Sequence, residues 1–427
     1  MPKIPAASVG ATSPAIERMK KLGLRVAILH SGGPAPGGNR VLAGAAKQFL
    51  DRGVPVLGFH NGYEFIQDLA AESLVCGTHY VEITRKTASQ AIDANAFILR
   101  TSRANPGRLL QCPRDMQDAV KVQKIVHILD IFEKMKIGVL ISIGGDDTLK
   151  TANYLYETAR GKMGNDAGRI FQGAVIHVPK TIDNDYYGIS WTFGYFTAAE
   201  SAGRVVRGLY DDAKATNSYH VVELMGRKAG WYTAAASIFA RGTRAIIPED
   251  YENRPFVLGE LSEQLFQIVA RREENGKGYG VFCIAEGLAD RLSDEEKSHM
   301  EKDRHGNLRL SEARIGERLS RLLTGLYKQK TGREKSFKHQ LVGYETRQNP
   351  PSLYDVLLTS QLGVGAYRLF EQGRFGEMVT VRDNLEIDGI PFSALIDPQT
   401  LLVKNRSIDT GGDFYNLLRS LEEKFSR

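Results

Sequence analysis

The sequence predicts an α/β chain of mostly parallel sheets covered by helices, and three observations carry that reading. Short apolar runs bounded by glycine alternate with longer stretches of helical spacing. At 427 residues the chain is too long for one ordinary core, so it divides into two domains or forms one enlarged doubly wound domain. Hydrophobic residues make up 42% and charged residues 25%, the balance of a folded globular chain.

The first strand is LRVAILH (24–30), a continuous apolar run of the kind a parallel strand buried on both faces requires. GGNRVLAGAAKQFLDRG then carries helical spacing with Gly53 as its stop, and VPVLGF (54–59) is the next strand, completing a βαβ unit. The pattern recurs with a helix over about 117–135, strand IGVLISI (137–143), a helix from Thr148, strand GAVIHVP (173–179) and a helix from about Gly194. A second series has strand YHVVEL (219–224), a helix after Arg227, a helix over about 256–273, strand YGVFCIAEG (279–287) and a helix over about 312–329. The charged stretch between Leu288 and Arg314 reads as exposed helix and loop.

Composition also excludes classes. The net charge of +6 comes from Lys and Arg dispersed among nearly as many acids, which argues against a nucleic-acid surface. No run of eighteen apolar residues suggests a membrane span, and the N-terminal stretch lacks the apolar core of an export signal. Cys76, Cys112 and Cys283 have no metal-ligand or disulfide spacing, so they read as free thiols of a reducing cytoplasm.

In open parallel sheets ligands gather at the carboxyl ends of strands, and four loops there are unusual. SGGPAPGGN (31–39) and IGGDDT (143–148) place glycine where a strand turns into a helix, so that backbone N–H groups approach an anion at the positive end of the helix dipole. Gly32, Gly33, Gly145 and Thr148 are the candidates for such contacts. Neither loop matches the standard nucleotide patterns, and taken alone each reads equally well as a tight turn. PKTIDND (179–185) packs a lysine, a hydroxyl and two carboxylates into seven residues; a proline-started turn with Asx hydrogen bonds is its plainer reading. MGRKAG (225–230) is the fourth. Together they hold what phosphoryl transfer asks for: Asp146 and Asp185 for Mg²⁺, Asp183 as base, and Lys180 with Arg103 as compensating cations.

The loops GGDDT, PKTIDND and MGR, in this order, resemble those of the phosphofructokinase family, and the likeness runs from Gly32 to about Asp355. The resemblance implies two Rossmann-like three-layer domains meeting at a cleft. The phosphoryl-donor domain would take residues 22–194 with about 348–396, and the sugar-phosphate domain residues 195–347 with about 397–427. Asp183 would take the proton from the sugar 1-hydroxyl, with Thr181 and Asp185 beside the transferred group. Asp146 would be linked to magnesium, while Met225, Gly226 and Arg227 would hold fructose 6-phosphate, Arg227 also meeting the transition-state charge. Glu286 would hydrogen-bond sugar hydroxyls; Lys338, Tyr344 and Arg347, in KHQLVGYETRQNPPSLYD, fall where the family binds the 6-phosphate.

The second acid of GGDD bears on the donor. ATP-using members of the family carry glycine there and in place of the lysine of PKTIDND, whereas this chain has Asp147 and Lys180, and Pro34 where those members commonly have aspartate. The carboxylate of Asp147 would repel a third phosphate while Lys180 would receive pyrophosphate. Asp147 reads equally as the N-cap of the helix that follows. The resemblance therefore implies reversible, Mg²⁺-dependent transfer from pyrophosphate to fructose 6-phosphate, giving fructose 1,6-bisphosphate and phosphate. It implies a cytoplasmic homodimer or homotetramer. The alternatives are an ATP-dependent phosphofructokinase and a non-catalytic regulatory subunit. Two positions depart from the pattern: Ser218 stands where bacterial ATP enzymes of the family have an arginine reaching a neighbouring subunit, and Arg100 where the family has glycine.

Overall fold

The computed structural model describes residues 13–163, 170–294, 297 and 313–424, so most of the charged stretch expected as surface helix and loop lies outside the described residues. In chain order the strands are β1 (Arg25–Ser31), β2 (Val56–Phe59), β3 (Tyr80–Ile83), β4 (Ile137–Gly144), β5 (Val175–Pro179), β6 (Tyr219–Leu224), β7 (Arg244–Ile246), β8 (Gly280–Ala285), β9 (Phe337–Val342), β10 (Glu377–Val381) and β11 (Ile387–Pro391). The chain forms two compact units.

The first unit comprises Met1–Thr181, Tyr186–Gly194 and Pro350–Lys404, and carries a seven-stranded sheet in the order β11-β10-β5-β4-β1-β2-β3. Its central pairs are parallel, and only the edge pairs β2/β3 and β10/β11 run antiparallel. Every residue of β4 is buried, which is why IGVLISIG has no polar alternation. Helices Gly38–Leu50 and Leu353–Glu371 approach so closely that a Cβ on Gly363 would stand 2.6 Å from the Val41 carbonyl oxygen.

The second unit comprises Ile182–Asp185, Tyr195–Asn349 and Asn405–Arg427, and has a parallel four-stranded sheet in the order β7-β8-β6-β9. Its core joins Val221, Phe282 and Ile284 of the sheet to Leu261 and Leu265 of helix Leu258–Glu274 and to Leu319 and Leu323 of helix Ile315–Thr331.

Four local expectations are corrected. Ile182–Asp185, expected with the first domain, belongs to the second unit. The helix read over about 117–135 is a 3₁₀ turn, Pro113–Gln117, followed by helix Gln123–Lys134. Between them Asp118 Oδ1 accepts the Val120 N–H, an alternative to helical bonding that Asp offers readily. The helix expected from Thr148 begins at Asp146, and Gly145 gives the carbonyl for the Leu149 N–H, so Asp147 lies inside the first turn and is not its N-cap. Residues 397–404, expected with the second domain, belong to the first unit, held by the bridge Ile396↔Val403 and by the Lys404 N–H on the Leu395 carbonyl.

Candidate active site

Strands β5, β4 and β1 are neighbours, and their register pairs Ser31 with Gly144 and Gly144 with Pro179. The loops they feed, Gly32–Gly33, Gly145–Asp147 and Lys180–Thr181, therefore start at one level of one sheet, the place where open α/β sheets bind ligands. Gly32, at φ +84°, is the meeting point: a Cβ there would stand 3.7 Å from Lys180 Nζ and 3.8 Å from the Gly145 nitrogen. A side chain would fill the space into which the three loops face.

Lys180 is only 2% exposed. Its ammonium donates to the Gly33 carbonyl, its backbone N–H donates to the Gly144 carbonyl, and the Phe97 ring lies 5.9 Å away. Two histidines flank this cation. His30 is held down to about 3 by its complete burial and, secondarily, by Lys180; His177 is held down to about 3, again chiefly by burial, with Lys180 a smaller contributor. Both rings are neutral, so Lys180 is the positive charge at this end of the sheet core. His177 reaches the Tyr186 hydroxyl at 3.1 Å, and that hydroxyl donates to the Gly144 carbonyl, bracing the end of β4.

Asp146 is half-buried in the first helical turn, and Asp147 is 59% exposed with Lys150 Nζ 3.0 Å from its carboxylate. Lys150, one turn further on, was not singled out in the sequence and offsets part of the charge on Asp147. Thr148 is buried, its hydroxyl against the Gly144 α-carbon, so of this residue only the backbone N–H suits an anion at the helix start. Segment 100–103 runs beside the β1 loop: the Gly32 N–H donates to the Ser102 carbonyl at 2.7 Å, and the Thr101 hydroxyl donates to the Gly32 carbonyl. Arg103 follows and is exposed. Arg100 has φ +55°, the left-handed conformation that glycine adopts most readily, which accounts for the family's glycine at this point.

In the second unit the neighbours β8, β6 and β9 pair Leu224 with both Ala285 and Val342, so the loops starting at Met225, Glu286 and Gly343 also rise from one level. They interlock. Gly226 has φ +120°, the Gly287 N–H donates to the Gly226 carbonyl at 3.1 Å, and a Cβ on Gly287 would lie 2.3 Å from the Arg227 carbonyl oxygen. Met225 packs against Gly343. The Glu286 carboxyl is pushed up to about 7 by burial first and by the nearby Asp183 carboxylate second, against the pull of Arg347. Asp183 also acts on Tyr232, whose hydroxyl donates to Thr346 Oγ1 at 2.9 Å and which burial raises well above the usual phenol range. Asp183, Glu286 and Arg347 thus form one electrostatic group with the Met225–Arg227 loop against it.

The remaining candidates take these places. Arg347 lies over the Tyr344 ring at 4.8 Å, and Tyr344 is 71% exposed. Arg227 Nε stands 3.8 Å from Asp290 Oδ2, a loose ion pair. Asp185 is buried, and its carbonyl accepts the Arg406 N–H after a turn in which Asn184 takes φ +55°. Thr181 is half-buried at the end of the first unit's segment. Lys338 does not join this group in the chain: it lies near the start of β9 and pairs with Asp212, which also takes His220 Nε2 at 2.8 Å. Ser218, just before β6, shares a 2.7 Å hydrogen bond with Thr216.

Among the described residues no three His, Cys, Asp or Glu side chains gather as a metal cage. Asp146, half-buried in the first turn of its helix, is a hard-oxygen carboxylate of the kind Mg²⁺ takes one or two of, its shell completed by water and phosphate oxygens. No helix among the described residues is long and apolar enough to cross a membrane.

The phosphofructokinase family model matches residues 25–370. The pyrophosphate--fructose 6-phosphate 1-phosphotransferase of Thermotoga maritima is 32% identical over 406 residues, covering 92% of this chain and 89% of that protein. The ATP-dependent 6-phosphofructokinase of Chloroflexus aggregans is 30% identical, covering 84% of this chain and 87% of that protein. Among solved structures, the pyrophosphate-dependent phosphofructokinase of Marinobacter aquaeolei superimposes with a TM-score of 0.66 at 19% identity, covering 94% of this chain and 93% of that one, which shows the shared fold. The chain belongs to the phosphofructokinase family, and it is a phosphotransferase of that family.

Proposed function

We propose that this chain transfers a phosphoryl group from pyrophosphate to the 1-hydroxyl of fructose 6-phosphate. The observation that carries the choice of donor is Lys180, a buried cation just past the end of β5, set against Gly32 and next to β4, the strand that feeds Gly145, Asp146 and Asp147. A compact polyanionic donor gains from such a charge at short range, because the apolar wall of Phe97 limits screening. Asp146 and Asp185 are the carboxylates that would hold Mg²⁺, and the ion would supply positive charge for the donor phosphates.

Asp183 accepts the proton of the attacking hydroxyl, and its carboxylate is the base beside a Glu286 whose own carboxyl burial pushes up to about 7. Arg227, only loosely paired with Asp290, offers its guanidinium to the charge on the transferring group. Met225 and Gly226 shape the sugar pocket, while Tyr344 and Arg347 stand at its rim for the sugar phosphate. We place the enzyme in the cytoplasm as a homodimer or homotetramer.

A second reading has specific support. Relatives named as ATP-dependent reach 30% identity against 32% for those named as pyrophosphate-dependent, and Lys150 pairs with the acid that would repel ATP. The experiment is a coupled assay of fructose 1,6-bisphosphate formation with Mg²⁺ and a single donor. Turnover with pyrophosphate and none with ATP upholds the proposal; turnover with ATP alone replaces it with the second reading.

A further inference from the structure

Two residues before the Met225–Arg227 loop, Glu223 lies on β6 with 2% exposure. Its Oε2 accepts the Gly316 N–H at 2.9 Å at the start of helix Ile315–Thr331, and Oε1 has no hydrogen-bond partner. Among the described residues the basic group paired with it is His339, whose Nε2 lies 3.5 Å from Oε2. A Cβ on Gly316 would stand 3.1 Å from Glu223 Oε2 and 2.9 Å from His339 Nε2, so glycine lets the helix seat on this pair and fixes the carboxylate in place.

The register then puts a second acid beside it. Glu223 pairs with Ile284, and Ala285 is still extended, so Glu286 lies on the same face two residues further on. The groups facing Glu286 are Glu223 from β6, Asp183 from the Ile182–Asp185 segment, Arg347 from the loop after β9 and the Gly226 backbone from the loop after β6. Two acids and one cation face a third acid that is half-buried.

We propose that Glu223 is a positioning residue of the sugar site: locked against the helix start, its carboxylate keeps the proton on Glu286, so that sugar hydroxyls meet a hydrogen-bond donor there. The proposal rests on the reading of Glu286 as a sugar contact. It agrees with the upward displacement of the Glu286 carboxyl, which burial causes first and Asp183 second, with Glu223 adding to both. Because Glu223 is buried and cannot turn to solvent, its effect persists in salt, unlike that of a surface charge.

The test uses Glu223→Gln, which keeps an oxygen for the Gly316 N–H and removes the charge. The titration of the Glu286 carboxyl is followed by ¹³C NMR of glutamate-labelled protein, assigned with Glu286→Gln, alongside the pH profile of kcat/KM for fructose 6-phosphate. The expected result is that the NMR midpoint and the alkaline fall of kcat/KM both move to lower pH by about one unit in Glu223→Gln. An unmoved NMR midpoint overturns the proposal, and so does a moved midpoint with an unmoved kcat/KM profile. The NMR measurement needs no turnover, so a chain inactive with fructose 6-phosphate would sink the proposed function without touching the coupling of the two acids. If Glu223→Gln fails to fold, His339→Lys sets a permanent cation beside Glu223, and its midpoint must move the same way.

Discussion

Gly287→Ala tests whether the loops after β6 and β8 act as one sugar-binding unit. The added Cβ would meet the Arg227 carbonyl oxygen at 2.3 Å, the Gly226 carbonyl oxygen at 2.7 Å and the Arg227 carbonyl carbon at 2.8 Å. All three are backbone atoms, so no side chain can rotate out of the way. The Met225–Arg227 loop has to retreat by about 1 Å before ordinary contact is restored. A displacement of that size at reacting groups costs on the order of 10²-fold in rate, and overpacking a tight junction costs about 1–3 kcal/mol of stability. The assay is steady-state kinetics with fructose 6-phosphate varied at saturating pyrophosphate, with urea unfolding of the same preparation. Gly208→Ala is the control, since Gly208 lies exposed in helix Tyr195–Thr216 with nothing within 4 Å of a Cβ, and it should gain about 0.5–1 kcal/mol. A Gly287→Ala enzyme with normal kcat/KM would refute the claim that these two loops are locked together around the substrate.

Other outcomes follow from single residues. Asp183→Asn should lower kcat by about 10²–10⁴-fold while its circular dichroism and unfolding midpoint stay near those of the wild type; retained turnover would remove Asp183 as the base. Glu286 carries its proton in the native state up to about 7 against 4.5 unfolded, so it opposes folding increasingly as pH rises through that interval. Glu286→Gln should therefore match the wild type near about pH 4 and exceed it by up to about 3 kcal/mol near about pH 8 in urea titrations. Arg419 donates twice to Asp250 at 2.6 Å and once to Glu422 at 2.7 Å, fixing the C-terminal helix Asp413–Leu421 on the second unit. Arg419→Ala leaves two buried acids short of a cation and should cost about 3–5 kcal/mol in chemical unfolding, with the donor preference unchanged.

The parallel strands were legible because they are buried on both faces and so appear as unbroken apolar runs; YHVVEL is β6 residue for residue. The strands not foreseen are very short or belong to edge pairs, even where they run parallel to a neighbour. β7 is three residues long, too short for any period, while β3, β10 and β11 lie in edge pairs with mixed polarity that resembles loop. The loops of the candidate site were visible through glycine and acid content, since only certain residue types suit a turn that also faces an anion. Their supporting groups were not. His30, Phe97 and His177 surround Lys180 from three distant stretches of chain, and only the sheet order brings them together. Lys150 was legible in principle, three residues after Asp147 on a helix, the spacing at which opposite charges meet. Glu223 looked like one more residue of a strand, and its significance depends on register.

The most direct test of the account is the ratio of kcat/KM with pyrophosphate to kcat/KM with ATP, measured for the wild type and for the Asp147→Gly, Lys180→Gly double variant. The account predicts a wild-type ratio well above one that falls by at least tenfold when both side chains are removed, since each contributes charge at the donor. A wild-type ratio below one, or a ratio the double variant leaves unchanged, would contradict it.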